Sequence, residues 1–200
     1  MLVQVEGSDF TGKTTISGII KDYLNETTNK KTVYFHNPTG NSEISNYIYN
    51  YIKSNECIGN EKISMMLAAL SKNFNDIREL SNHYNVVMDR GLISFYVYQF
   101  RQLSPSTFYT MLDLFNFEDI DFDKTFILTC SDDELERRAK GRNDNDELDN
   151  YFLERIHEIN NTYKDNVLMN QLIETGEVIN LDTTNLDHGS CVDFVKGRMG

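Results

Sequence analysis

The stretch EGSDFTGKTT, residues 6–15, places two glycines five apart and follows the second with a lysine and a threonine. Gly7, four intervening residues, Gly12, Lys13 and Thr14 complete the pattern G-x-x-x-x-G-K-[ST]. Glycines at those positions let the backbone curl, so that N–H groups from Ser8 through Phe10, Thr11 and Thr15 face inward and wrap a phosphate. The helix that follows adds the partial positive charge of its N-terminus. Lys13 can then reach the outer phosphates and the Thr14 hydroxyl can ligand Mg²⁺, which predicts a site for a nucleoside triphosphate, with ATP the expected phosphoryl donor. Further along the chain, Asp89–Arg90 and the cations Arg137, Arg138 and Arg142 offer more phosphate chemistry. Phosphoryl transfer asks the protein to bring two anions into line and neutralise their charge. A cation at each end, a metal between them and a mobile cation over the transferred group meet that need. Each candidate also has a plainer reading. Asp89 can simply pair with Arg90, and Arg138 and Arg142, four apart, can sit on a solvated helix paired to Glu134 and Glu136. Burying Arg90 without an anion would be costly, which favours a phosphate role for it.

The elements that must position these residues are short apolar runs alternating with helical patterns. LVQV, TVYFHN, NVVMDR, TFILTCS and EVINLD read as five strands, the second stopped by Pro38. Helices are expected from about 13 to 24, over 42–54 and 60–82, from SFYVYQF onward, over about 148–172, and after Asn185. The 148–172 helix should carry Phe152, Ile156, Ile159, Tyr163 and Val167 on one side. Such alternation predicts an α/β fold: a five-stranded parallel sheet with helices on both faces, three layers in all. The chain has no Pro/Gly/Ser-rich linker and no repeat, so residues 1–200 read as a single domain with a short arginine-bearing lid at about 136–147. In such a sheet ligands gather at the carboxyl ends of strands, where the turn after Val5, the His36–Pro38 turn, the Asp89–Arg90 pair and the turn after TFILTC should meet.

The formal net charge of −12 argues against a nucleic-acid-binding surface and makes small-molecule nucleotides the expected partners. No segment is apolar enough to span a membrane, and MLVQVEG enters a strand without a signal-peptide pattern. Three widely spaced cysteines, Cys57, Cys130 and Cys191, suit unpaired thiols in a reducing compartment, so a cytoplasmic location is expected.

Four stretches together resemble the thymidylate kinase family of P-loop nucleoside monophosphate kinases. EGSDFTGKTT is similar to its E-G-x-D-x-x-G-K-[ST]-T, and DRGLISFYVYQ to its D-R-Y-x-x-S-x-x-A-Y-Q. LERRAKGRNDNDELD resembles its lid, and VINLDTTN the late strand and loop beside adenine. The resemblance implies ATP-dependent phosphorylation of a deoxynucleoside monophosphate, dTMP first, with Mg²⁺ and as a homodimer. It implies that Gly7 to Thr15 hold the donor phosphates and that Thr14 and Asp89 serve the metal. Arg90 would hold the acceptor phosphate and Asp9 the acceptor 3′-hydroxyl, with Ser94, Tyr98 and Gln99 lining the acceptor pocket. Because Phe10 and Thr11 supply no arginine in the turn, the lid must provide the catalytic cation, Arg142 before Arg138.

The sequence departs from the family at the acceptor. Where the family has R-E-P-G, this chain reads His36, Asn37, Pro38 and Thr39, and the Tyr after Asp-Arg is Gly91. The family's base-reading F-A-A-x-R corresponds to Leu67, Ala68, Ala69, Leu70 and Ser71, unless Lys72, Asn73 or Phe74 substitutes after a shift. An apolar wall of this kind could take another or a modified pyrimidine. Two further readings remain: a deoxynucleoside kinase, which Asn37 disfavours for want of a general base, and a nucleotide-binding regulatory module without catalysis.

Overall fold

The computed structural model describes residues 1–39, 43–53, 60–114, 120–141, 155–173 and 175–200. Five strands, β1 (Leu2–Gly7), β2 (Thr32–His36), β3 (Asn85–Asp89), β4 (Lys124–Thr129) and β5 (Glu177–Asp182), form one parallel sheet ordered β2-β3-β1-β4-β5. The helices among the described residues are α1 (Lys13–Thr27), α2 (Glu43–Lys53), α3 (Asn60–Leu80), α4 (Leu92–Phe95), α5 (Pro105–Leu114), α6 (Asp132–Lys140), α7 (Ile156–Lys164), α8 (Asn166–Leu172) and α9 (His188–Met199). A π-helical turn, Tyr96–Phe100, continues α4. The expected α/β class and five parallel strands are as observed.

Strand periodicity divides the core in two. Val3, Val5, Phe126 and Leu128 pack with Ile16 and Ile20 of α1 and Val195 of α9. Val86, Met88 and Ile127 face the other side, against Phe74 of α3, Phe108 of α5 and Tyr163 of α7. The same alternation turns Gln4 and Glu6 of β1 away from α1, into the second layer. There both are buried and bonded to each other at 2.7 Å.

Two elements differ from expectation. Helix α5 is an addition, started by Ser104, whose hydroxyl accepts from the Thr107 N–H at 3.2 Å, with Pro105 in the first helical position. The helix expected over 148–172 is broken at Asp165 in its described part. That residue leaves helical geometry (φ −78, ψ 91), and its carboxylate accepts from the Val167 and Leu168 N–H groups at 3.0 and 3.1 Å, capping a new helix. The restart shifts the helical phase, so Val167 is 69% exposed rather than on the apolar side. Phe152 and the lid from residue 142 lie outside the described residues.

Candidate active site

Register brings the functional strand ends level. Val5 of β1 and His36 of β2 both stand opposite Asp89 of β3. The ladders run one step further, with Arg90 N–H donating to Val5 and Asn37 N–H to Asp89, each at 3.0 Å. The chain from β1 then turns through Ser8–Thr11 into α1. Gly7 (φ 151) passes so close to β4 that a Cβ would lie 2.4 Å from the Leu128 carbonyl oxygen, and Gly12 (φ 89) enters α1 in the left-handed region. Both positions require glycine. Thr11 Oγ1 donates to the Ser8 carbonyl at 2.8 Å, and Phe10 packs on Cys130, Leu135 and Ile156, tying the turn to the rest of the domain. Thr14 and Thr15 stand exposed at the start of α1.

Lys13 is buried, with Nζ donating to the Ser8 carbonyl at 2.7 Å. Burial, helped by the nearby Arg90 charge, lowers its pKa to about 8 against the pull of Asp9, Asp89 and Glu6. Lys13 and Arg90 therefore lie close enough for their charges to oppose each other, Lys13 against the Ser8 carbonyl and Arg90 against the neighbouring Asp9. Arg90 adopts φ 68, and its guanidinium pairs with Asp9 while lying 5.0 Å over the Tyr98 ring. Tyr98 in turn donates to Asp9 Oδ2 at 2.8 Å. Burial opposes the Arg90 charge, yet Asp9 and the neighbouring tyrosines hold its pKa well above the ordinary value. Of the two readings of the Asp89–Arg90 pair, simple mutual pairing is not what forms: Arg90 takes Asp9.

Asp89 Oδ2 instead accepts from Thr14 Oγ1 at 3.3 Å and Tyr34 OH at 3.0 Å, with His36 Nδ1 3.4 Å away but outside hydrogen-bonding geometry. Burial pushes the Asp89 carboxyl up, but the His36 ring and the Lys13 and Arg90 charges outweigh it and hold it at about 2, so it is ionised. Its Oδ1 is buried without a hydrogen-bond partner. An ionised carboxylate with an unspent oxygen beside a threonine hydroxyl is a hard-oxygen donor set that fits Mg²⁺ completed by substrate phosphates.

The remaining candidates sit as follows. Ser94 is buried, its hydroxyl donating to Glu6 and lying 2.9 Å from Tyr163 OH. Glu6 is fully buried, and burial raises its pKa despite the bonds it accepts from Ser94 and Gly91. Gln99 Nε2 lies 3.8 Å from Met66 Sδ, Leu67 packs partly buried against the second core layer, and Ser71 is half-buried. Asn73 cannot replace a base-reading arginine, because it is fully buried and bonded inward to Asn37 and the Pro38 carbonyl. At Gly91, where the family has a tyrosine, a Cβ would meet the side-chain ends of Gln4 (Nε2, 2.3 Å) and Met88 (Cε, 2.5 Å), so a larger residue here needs those two side chains to move.

Arg138 follows the plainer reading in part. It pairs with Glu134 at 2.8 Å, but it also donates to the Phe10 carbonyl at 3.1 Å and the Thr183 carbonyl at 2.7 Å. It thus rivets the phosphate turn to the turn after β5. Arg142 lies outside the described residues. Residues that the sequence reading passed over include Tyr34 and Asn160. Tyr34 is two before His36 on β2, so period-two spacing could have flagged it. Asn160 is buried, four after Ile156, and its amide nitrogen donates to the Cys130 carbonyl at 2.8 Å.

The family model for thymidylate kinase matches residues 5–185. A search of curated proteins finds no significant match. Among solved structures, thymidylate kinase from Ehrlichia chaffeensis aligns with a TM-score of 0.69 at 20% identity, covering 100% of this chain and 98% of that one, a likeness of fold. Because the family match spans nearly the whole sequence and the fold agrees from end to end, the chain belongs to the thymidylate kinase family.

Proposed function

We propose that the chain carries the γ-phosphoryl group of ATP to the 5′-phosphate of dTMP, yielding dTDP and ADP. The observation that carries this reading is the proximity of Lys13, from the phosphate turn, and Arg90, from the end of β3, held against consecutive residues Ser8 and Asp9 of that turn. The turn and Lys13 hold the donor phosphates, and Arg90 holds the acceptor phosphate. An acceptor phosphate oxygen attacks the γ-phosphorus as its bond to the β–γ bridging oxygen breaks, and the electron pair leaves on ADP. Asp9, bonded to Arg90 and Tyr98, would accept a hydrogen bond from the acceptor 3′-hydroxyl. Thr14 and Asp89 would hold Mg²⁺, which supplies charge neutralisation between the two phosphate chains. Arg138 binds on the ATP side through the Phe10 and Thr183 turns, leaving Arg142 as the candidate cation over the transferred group. Family membership supports a homodimer at work in the cytoplasm; among the described residues no helix is long and apolar enough to cross a membrane.

One observation favours a wider acceptor range. The helix facing the acceptor offers Leu67 and Ser71, and its buried amide Asn73 is bonded inward, so other or modified pyrimidine monophosphates fit the same reading. The test is ADP release from Mg²⁺-ATP with dTMP, dUMP, dCMP, dGMP and the free deoxynucleosides. Turnover with dTMP is expected, and Lys13→Ala should lower it by about 10³-fold. Turnover only with free nucleosides, or ATP binding with no turnover at all, would replace the reading by a nucleoside kinase or a regulatory module.

A further inference from the structure

Asn37 occupies a position at which the family pattern has a carboxylate, and an amide can do what a carboxylate cannot: donate. Its Nδ2 donates to the Arg90 carbonyl at 2.6 Å. Which end of that amide faces Arg90 is dictated by a buried chain of partners. Ser45 Oγ of α2 donates to Asn73 Oδ1 at 3.0 Å, and Asn73 Nδ2 of α3 donates to Asn37 Oδ1 at 2.5 Å. Only the nitrogen of Asn37 is then left for Arg90. Ser45 and Asn73 are fully buried and Asn37 nearly so, so these bonds form away from water.

The residue they hold needs holding. Arg90 has φ 68, a left-handed conformation that residues with a side chain avoid. The other edge of the peptide that Asn37 bonds is fixed as well, since the Gly91 N–H donates to Glu6 Oε1 at 2.6 Å, and on the far side of the residue the Arg90 N–H donates to the Val5 carbonyl at 3.0 Å. The backbone of Arg90 is thus gripped on both sides, at its N–H and at the peptide that follows, and from that fixed base its guanidinium reaches Asp9 and the Tyr98 ring. We propose that Asn37 is a positioning residue for the acceptor site, its amide fixing the Arg90 backbone so that the guanidinium is presented to the acceptor phosphate, with Asn73 and Ser45 setting the amide's orientation. The replacement of a carboxylate at position 37 is therefore a gain of a donor. This rests on Arg90 holding the acceptor phosphate.

The test compares Asn37→Leu, Arg90→Ala and the double variant, measuring the KM for dTMP and, separately, the Kd for ATP. Asn37→Leu keeps the side-chain size and removes the donor; Asn37→Ala takes its place in the same cycle should the leucine variant not fold. The expected result is a dTMP KM raised about tenfold by Asn37→Leu, with ATP Kd within about twofold of wild type. In the Arg90→Ala background the same substitution should add nothing, because its effect passes through Arg90. An unchanged dTMP KM in Asn37→Leu alongside a raised one in Arg90→Ala overturns the positioning role and leaves the Arg90 reading standing. Fully additive effects, or a parallel loss of ATP affinity, also overturn it, since they mark a general structural role. A dTMP KM unmoved by Arg90→Ala itself sinks the Arg90 reading instead.

Discussion

Lys13 illustrates how much a single buried cation depends on its company. Burial and the Arg90 charge bring its pKa down to about 8, so in the free protein its charge is shed as pH rises through that value. A triphosphate supplies the anion that restores the proton. Linkage then requires proton uptake on ATP binding above about pH 8, and an ATP affinity that falls as pH climbs toward the ordinary lysine value. Calorimetric titration at about pH 8.5 in buffers of different ionisation enthalpy measures the uptake directly. Zero uptake there would mean that Lys13 stays fully charged without nucleotide. For stability the sign runs the same way: the folded state binds fewer protons than the unfolded chain between about 8 and 10.5, so this group's contribution to stability grows as pH rises through that window. At this scale the gathering of Lys13, Asp89 and Arg90 at neighbouring strand ends was legible, because each belongs to a spaced motif whose residue types have few other uses. Asn37 and Asn73 were not. An asparagine's role depends on what its amide faces, and only packing decides that.

Among the elements, the strands were legible almost to the residue, because apolar runs between turn signals leave little choice in a doubly covered sheet. Helical periodicity was less informative after residue 155. A hydrophobic stripe continues across Asp165 in the sequence, but a short acidic side chain can satisfy backbone donors and restart the helix in a new phase. That cap is testable. Asp165→Ala removes the acceptor of two N–H bonds and should cost about 1 kcal/mol, lowering Tm by roughly 2–4 °C for a chain of this size. Thermal unfolding that matches wild type would show that the break between α7 and α8 is imposed by packing alone. The π-helical turn at Tyr96–Phe100 was also beyond sequence reading: it keeps the helical pattern and only widens one turn. It is nonetheless the element that carries Tyr98 to Asp9, in keeping with the frequent appearance of such turns at functional sites.

Taken whole, the molecule carries a formal charge of −12 while its substrates are anions. The cations of the cleft act at short range; the surplus of carboxylates acts further out, over distances that salt controls. The Debye length shrinks from about 30 Å at 0.01 M salt to about 8 Å at 0.15 M, so added salt should quicken ATP association, by about two- to threefold over that range. Stopped-flow binding measures this, and a rate that falls with salt would show that the cleft alone governs approach. The parallel sheet of five strands followed from alternating strands and helices, whereas the strand order and the pairing of charges at the strand ends did not, since those depend on which strands stand side by side.

The carboxylate of Glu6 joins three distant parts of the sequence, accepting from Gln4 at 2.7 Å, from Gly91 at 2.6 Å and from Tyr163 OH at 3.2 Å, besides Ser94. Such a knot constrains descent as well as folding. A chain that swapped position 6 for an apolar residue would strip Gln4 and Gly91 of this acceptor and leave the Ser94 and Tyr163 hydroxyls only each other, so viable relatives should alter positions 6, 94 and 163 in concert or leave all three alone.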